Sequence, residues 1–220
     1  MAINTVSAKM AIPANSHVTL YTCAPDKSHA LVDLDLINTS NSNITVKIAI
    51  TSKPYTSLTD DDYILHSLLL SSQDNQINVS GIFVGKNENI YVEADAAGAN
   101  IRLSGIEETN SHVVASGQLA SATYAPNAAP YQIYQTMLPT ASSTSGYLNV
   151  YNPNAATANV IFYVSSNSSP VNDDVVFTSS VGSQQTICLN KLLINQTEKL
   201  FIKVSDASVK VYLNGVVISS

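Results

Sequence analysis

The sequence predicts an all-β protein built as two tandem antiparallel β-sandwich domains, jelly-roll or Ig-like, related by an internal repeat. Three observations predict it. First, the stretch from Lys191 to Gly215 repeats the stretch from Gly81 to Gly105 without a gap, 110 residues further on. Ile82 matches Leu192, Val84 matches Ile194, Ile90 matches Leu200 and Val92 matches Ile202, and Ala99, Ile101 and Leu103 match Val209, Val211 and Leu213. Second, these apolar positions alternate with Tyr91, Glu93, Asn100 and Arg102, or with Phe201, Lys203, Lys210 and Tyr212, on both sides of a short Asp/Gly/Ser turn. Period-2 alternation around a turn predicts a half-buried β-hairpin in each copy. Third, only 12% of residues are charged, and the abundance of Ser, Asn, Thr, Val and Ile favours strands and turns over helices.

Met1 to Ala11 has weak periodicity and reads as an N-terminal arm or a first edge strand. Ile12-Pro13-Ala14-Asn15-Ser16 is a turn. His17 to Pro25 aligns with Tyr131 to Pro139 at an offset of 114, a register that continues to Ser52 and Ser166. Val32, Leu34 and Leu36 form one inward row and Ile44, Val46, Ile48 and Ile50 the next. Their counterparts are Gly146, Leu148 and Val150, then Ala158, Val160, Phe162 and Val164, so a second hairpin is expected twice. Acidic turns, Asp60-Asp61-Asp62 and Asp173-Asp174, lead into strands over Tyr63 to Leu70 and Val175 to Val181. The alternative at 60–70 is a short helix capped by Asp60. The β-branched Val175, Val176 and Thr178 of the second copy argue against it. About seven strands per repeat suit a sandwich. The expected domains are 1–108 and 117–220, with the polar 109–116 between them as a short linker or an added edge strand. The Ala/Pro/Asn-rich stretch from Leu119 to Pro130 reads as a non-globular lead segment that mirrors the N-terminal arm.

The 220 residues carry a net charge of −6, all of it within residues 1–116, where twelve acids meet six bases. That half repels phosphate backbones and no basic stripe offsets it, so no nucleic-acid partner is expected. No apolar run reaches the length of a membrane span, and Met1-Ala2-Ile3-Asn4 lacks the basic start of an export signal. The chain is therefore expected to be made in the host cytoplasm and to have no membrane partner. Cys23 and Cys188 fall at non-equivalent positions of the two repeats and read as small buried hydrophobes.

No G-x-S-x-G, P-loop, G-x-G-x-x-G, C-x-x-C or H-E-x-x-H motif is present. His17, His29, His66 and His112 lack metal-type spacing. Asp60, Asp61 and Asp62 offer hard oxygen ligands for calcium, yet no EF-hand spacing or following bidentate Glu completes a shell. No catalytic residue, metal or cofactor is expected, and the protein is not expected to be an enzyme. The sequons at Asn43 and Asn195 are what chance supplies in such a composition. Tyrosine is the more informative residue, since seven of the eleven lie in the second half. On the expected hairpin register Tyr147, Tyr151, Ile161 and Tyr163 share one outward face, where the first repeat has Asp33, Ile37, Lys47 and Ala49. Tyr joins apolar area to a polar tip, so this row is the expected interface. Packing under a loop or against the lead segment is the alternative.

The first repeat resembles small β-sandwich virion proteins of tailed bacteriophages, which are often built as tandem domains. The residues that carry the resemblance are Ile12-Pro13-Ala14-Asn15, Val46-Lys47-Ile48-Ala49-Ile50, Asp61-Asp62-Tyr63-Ile64, Gly81-Ile82-Phe83-Val84, Ile90-Tyr91-Val92-Glu93-Ala94 and Gly105-Ile106-Glu107-Glu108. It covers most of 12–108 and reaches the second repeat only through the internal alignment, where Val217-Ile218 replaces the closing Glu-Glu. The resemblance implies a non-enzymatic protein on the virion, first of all a capsid decoration or cement protein on the head exterior. Its implied partners are the major capsid protein or other virion proteins, and sister copies in a homo-oligomer. A tail, collar or fibre role, or a host-surface carbohydrate-binding module, is the alternative.

Overall fold

The computed structural model describes residues 2–72, 75–109, 112–136 and 142–219. The chain divides into two compact units, residues 1–111 with 116–118, and residues 112–115 with 119–220. The first unit contains β1 (Ala2–Ile12), β2 (Ser16–Thr22), β3 (His29–Asn38), β4 (Ile44–Thr51), β5 (Tyr63–Leu70), β6 (Asn75–Gly85), β7 (Asn89–Ala94) and β8 (Ala99–Thr109). Its two four-stranded sheets have the orders β1-β8-β3-β6 and β2-β7-β4-β5. The second unit contains β9 (Val113–Tyr124), β10 (Tyr131–Gln135), β11 (Ser142–Tyr151), β12 (Ala158–Ser165), β13 (Val175–Val181), β14 (Thr186–Asn195), β15 (Lys199–Ser205) and β16 (Val209–Ser219). Its sheets, β14-β11-β16-β9 and β10-β15-β12-β13, repeat the first unit's order strand for strand. Eight strands wound alternately into two sheets make a jelly roll.

The inward rows read from the sequence are the rows that pack. Val32, Leu34, Leu36, Ile44, Val46, Ile48, Ile50, Ile82, Val84, Ile90, Val92, Ile101 and Leu103 are buried in the first unit. Leu148, Val150, Val160, Phe162, Ile194, Leu200, Ile202, Val211 and Leu213 form the core of the second. The pairings differ from expectation. β7 and β8 lie in opposite sheets, as do β3 and β4, β11 and β12, and β15 and β16. The expected hairpins at 81–105, 191–215, 32–50 and 146–164 are thus connections across the sandwich. Both sheets present an alternating strand to one core, so period 2 marks a strand's inner face without naming its neighbour. Among the described residues, consecutive strands pair directly at β4–β5 and β12–β13.

Two segments have alternative readings from the sequence. At 109–116 the edge-strand reading holds over a plain linker, since Thr109 closes β8 and residues 113–116 open β9. Of the two readings of residues 1–11 the edge strand holds, since β1 pairs with β8 along its whole length. The lead segment, by contrast, is not wholly non-globular, because its residues 119–124 complete β9, the edge beside β16. Among the described residues each unit therefore has eight strands where about seven were expected. Residues 60–62 form a 3-10 turn and Tyr63–Leu70 a strand, so the helix alternative does not hold. No helix among the described residues is long and apolar enough to cross a membrane.

The same polar anchors recur at the repeat offsets. Asn38 Nδ2 donates to the carbonyls of Ser42 (2.7 Å) and Leu70 (3.1 Å), and Asn152 Nδ2 to those of Ala156 (2.7 Å) and Val181 (2.9 Å). Glu88 accepts from the Gly85 N–H (2.7 Å) and Glu198 from the Asn195 N–H (2.8 Å), each closing the turn ahead of the next strand. Asp62 and Asp174 likewise accept from the N–H three residues earlier, at Thr59 (2.8 Å) and Val171 (2.9 Å).

Candidate interaction surfaces

The four residues expected to share a face do not share one. Tyr147 and Tyr151 lie on β11, in one sheet, whereas Ile161 and Tyr163 lie on β12, in the other. Their common row depended on a β11–β12 hairpin that the jelly roll replaces with a crossing. Alternation does place Tyr147 opposite the core-facing Leu148, but that side of the sheet is covered as well. Tyr147 is 3% exposed and Tyr163 6% exposed, while Tyr151 and Ile161 are half-buried. The Tyr147 hydroxyl accepts from Asn214 Nδ2 at 2.9 Å. Tyr212, Asn149 and Asn214, on the same side of the sheet, are buried too. Periodicity tells which side of a strand a residue takes, not whether that side meets water. Cys23 is buried, and burial pushes its thiol up to about 11, whereas Cys188 is exposed, contrary to expectation.

The aromatic surface cluster of the first unit was not foreseen. Tyr91 and Glu93 alternate with the core residues Ile90 and Val92 on β7, and His17 of β2 and Lys47 of β4 flank Glu93 in register. The 3-10 turn Tyr55–Ser57 lays the Tyr55 ring on His17, with centroids 3.3 Å apart and planes 10° from parallel. Tyr63 donates its hydroxyl to Glu93, the ammonium of Lys47 sits 5.6 Å from the Tyr63 ring centre, and Tyr91 donates to the Lys53 carbonyl at 3.1 Å. Burial, reinforced by Glu93, raises the pKa of both Tyr55 and Tyr63. These phenols stay neutral and act as donors to the carboxylate. The alternation on β7 was legible in the sequence. The return of Tyr55 from a distant turn was not.

The acidic turn is occupied by protein donors. Asp62 receives the Thr59 N–H and hydroxyl (2.8 and 2.9 Å) and pairs with Lys53 Nζ at 2.8 Å. Among the described residues no group of three or more His, Cys, Asp or Glu side chains is placed to hold a metal ion. Burial of Asp62 disfavours its charge, but Lys53 and Thr59 outweigh burial and hold the carboxyl below its ordinary value. A lowered native pKa contributes stability above the unfolded pKa, about 4, that is lost as pH falls through the native value. Urea unfolding at a series of pH values below about 5 is therefore expected to show stability falling with acid. Asp62→Ala is expected to be less stable at neutral pH and to show a shallower fall.

A third surface is the outer side of the β1-β8-β3-β6 sheet. An open groove of about 700 Å³ runs over it, lined by Lys9, Asp35, Ile37, Gln76, Asn100 and Arg102 among others. Lys9 faces Arg102 directly across β1–β8, and Arg102 faces Asp35 across β8–β3.

No protein-family model matches the chain, and no curated protein matches it. Solved structures do show likeness. The major capsid protein P2 of bacteriophage PM2 is 11% identical with a TM-score of 0.39, over 100% of this chain and 98% of that one. The structure of Sulfolobus turreted icosahedral virus is 8% identical with a TM-score of 0.41, over 99% and 91%. The broad bean stain virus structure is 8% identical with a TM-score of 0.38, over 97% and 88%.

Proposed function

We propose that the chain is a non-enzymatic virion structural protein of a tailed bacteriophage. It decorates the head exterior, contacts the major capsid protein or other virion proteins, and assembles with sister copies on the particle. A jelly roll by itself assigns no function, because one fold serves many. The observation that carries the reading is the run of motifs through residues 12–108 that resembles tailed-phage virion proteins. Those motifs fall on the structural skeleton: Val46–Ile50 in β4, Gly81–Val84 in β6, Ile90–Ala94 in β7 and Gly105–Glu108 in β8. A tail, collar or fibre position is the second reading within the same class. A host-surface carbohydrate-binding module is the reading outside it.

Mixing the purified protein with undecorated heads and with purified tails separates these readings. Saturable binding to heads at fixed stoichiometry, with tails left bare, is the expected result. Binding to tails alone transfers the protein to the tail, and binding to neither overturns the particle role.

A further inference from the structure

We propose that the groove on the first unit binds a carboxylate-bearing saccharide. In this pose Lys9 and Arg102 hold the carboxylate, and Asp35, Asn100 and Gln76 bind the neighbouring hydroxyls. The proposal goes beyond the particle role and does not depend on it.

Arg102 is the only arginine of the chain. Lys9 and Arg102 are exposed and stand directly opposite each other on neighbouring strands. Like charges in that position destabilise a sheet pair. Among the described residues neither is ion-paired with an acid, so both cations are available to an anionic group. A guanidinium presents a planar fork that fits a carboxylate at two points.

The other half of the face has the opposite sign. Asp33 accepts from the Gly81 N–H and Asp35 from Asn78 Nδ2, both at 2.8 Å, which anchors the acids on the β3–β6 side. A polyacidic peptide gains from the β1–β8 side and is repelled by the β3–β6 side. A sugar acid meets both halves, because its hydroxyls donate to carboxylates while its own carboxylate pairs with the bases. Gln76 and Asn100 add amides that both donate and accept, and Ile37 supplies an apolar floor. The second unit has no such face, since Tyr212 and Asn149, at the repeat positions of Arg102 and Asp35, are buried.

The test titrates the full chain with uronate- and sialate-terminated oligosaccharides, with their neutral methyl esters, and with poly-glutamate. At least one acid sugar is expected to bind about tenfold or more tightly than its ester, with poly-glutamate failing to compete. Arg102→Ala is expected to weaken that binding by about tenfold or more, and Arg102→Lys by less, since it keeps the charge and loses the fork. Lys9→Gln gives an independent variant on the same pair, and melting curves check that each variant is folded. The proposal is overturned if no acid sugar binds, if an ester or poly-glutamate binds as well, or if folded Arg102 and Lys9 variants bind normally.

Discussion

Asn38→Ala is expected to destabilise the first unit by roughly 2 to 4 kcal/mol, through one buried bond and several part-buried ones lost together. Asn38 is fully buried at the end of β3. Its Nδ2 reaches the carbonyls of Ser42, Leu70 and Ser71, and its Oδ1 accepts the N–H and hydroxyl of Ser40, both at 2.8 Å. One amide thus closes the β3–β4 turn and ties it to the end of β5. Alanine leaves the buried Leu70 carbonyl without this donor, at about 1 to 3 kcal/mol for a buried unsatisfied group, and removes the turn-closing bonds to the part-exposed Ser40, Ser42 and Ser71. Asn152 does the same work between β11, the following turn and the end of β13, with its Oδ1 accepting the Asn154 N–H at 3.0 Å. We propose that the two units unfold separately. Calorimetry of Asn38→Ala should then lower one transition and leave the other, and Asn152→Ala should lower the complementary one. A loss below about 1 kcal/mol in both variants would show that water replaces the amide at little cost.

How much of this was legible follows from what alternation encodes. Leu34, Ile48, Ile101 and Val211 announce an inner face because burial on one side of a strand leaves a period of two. The copy at offsets of 114 and 110 announces a duplicated set of strands. Neither signal encodes which strands hydrogen-bond. Ile90–Ala94 and Ala99–Leu103 look like two arms of a hairpin, yet β7 pairs with β2 and β4, and β8 with β1 and β3. The tyrosine face failed for this reason, since Tyr147 and Tyr163 were joined only by the assumed pairing. β1 was legible only as one of two readings and the 119–124 part of β9 was missed, because an edge strand with one partner buries fewer side chains, which weakens the alternation. The Lys9–Arg102–Asp35 row lay beyond reach altogether. It joins residues nearly a hundred positions apart, and its register is fixed by the jelly-roll winding.

Gly105→Ala and Gly215→Ala are expected to cost roughly 2 to 4 kcal/mol each, from backbone crowding in otherwise ordinary strands. Gly105 pairs with Val32 across β8–β3, and Gly215 with Gly146 across β16–β11, the same place in the two units. A Cβ on Gly105 would stand 2.3 Å from the Leu31 carbonyl oxygen and 2.8 Å from the Val32 Cα. On Gly215 it would stand 2.4 Å from the Ser145 carbonyl oxygen and 2.9 Å from the Gly146 Cα. These atoms are backbone, so no rotamer change relieves the clash, and the paired strands must separate. Close approach here coincides with the irregularity that re-registers β3 against β6 between Val32 and Leu34, and β11 against β14 between Gly146 and Leu148. Gly81 provides the control. Its φ is +74° and a Cβ there would meet nothing within 4 Å, so Gly81→Ala carries only the left-handed backbone cost of about 1 to 2 kcal/mol. Chemical denaturation of the three variants ranks them. A Gly105→Ala protein no less stable than Gly81→Ala would mean that β3 and β8 yield easily, and that the glycine is kept for some reason other than strand approach.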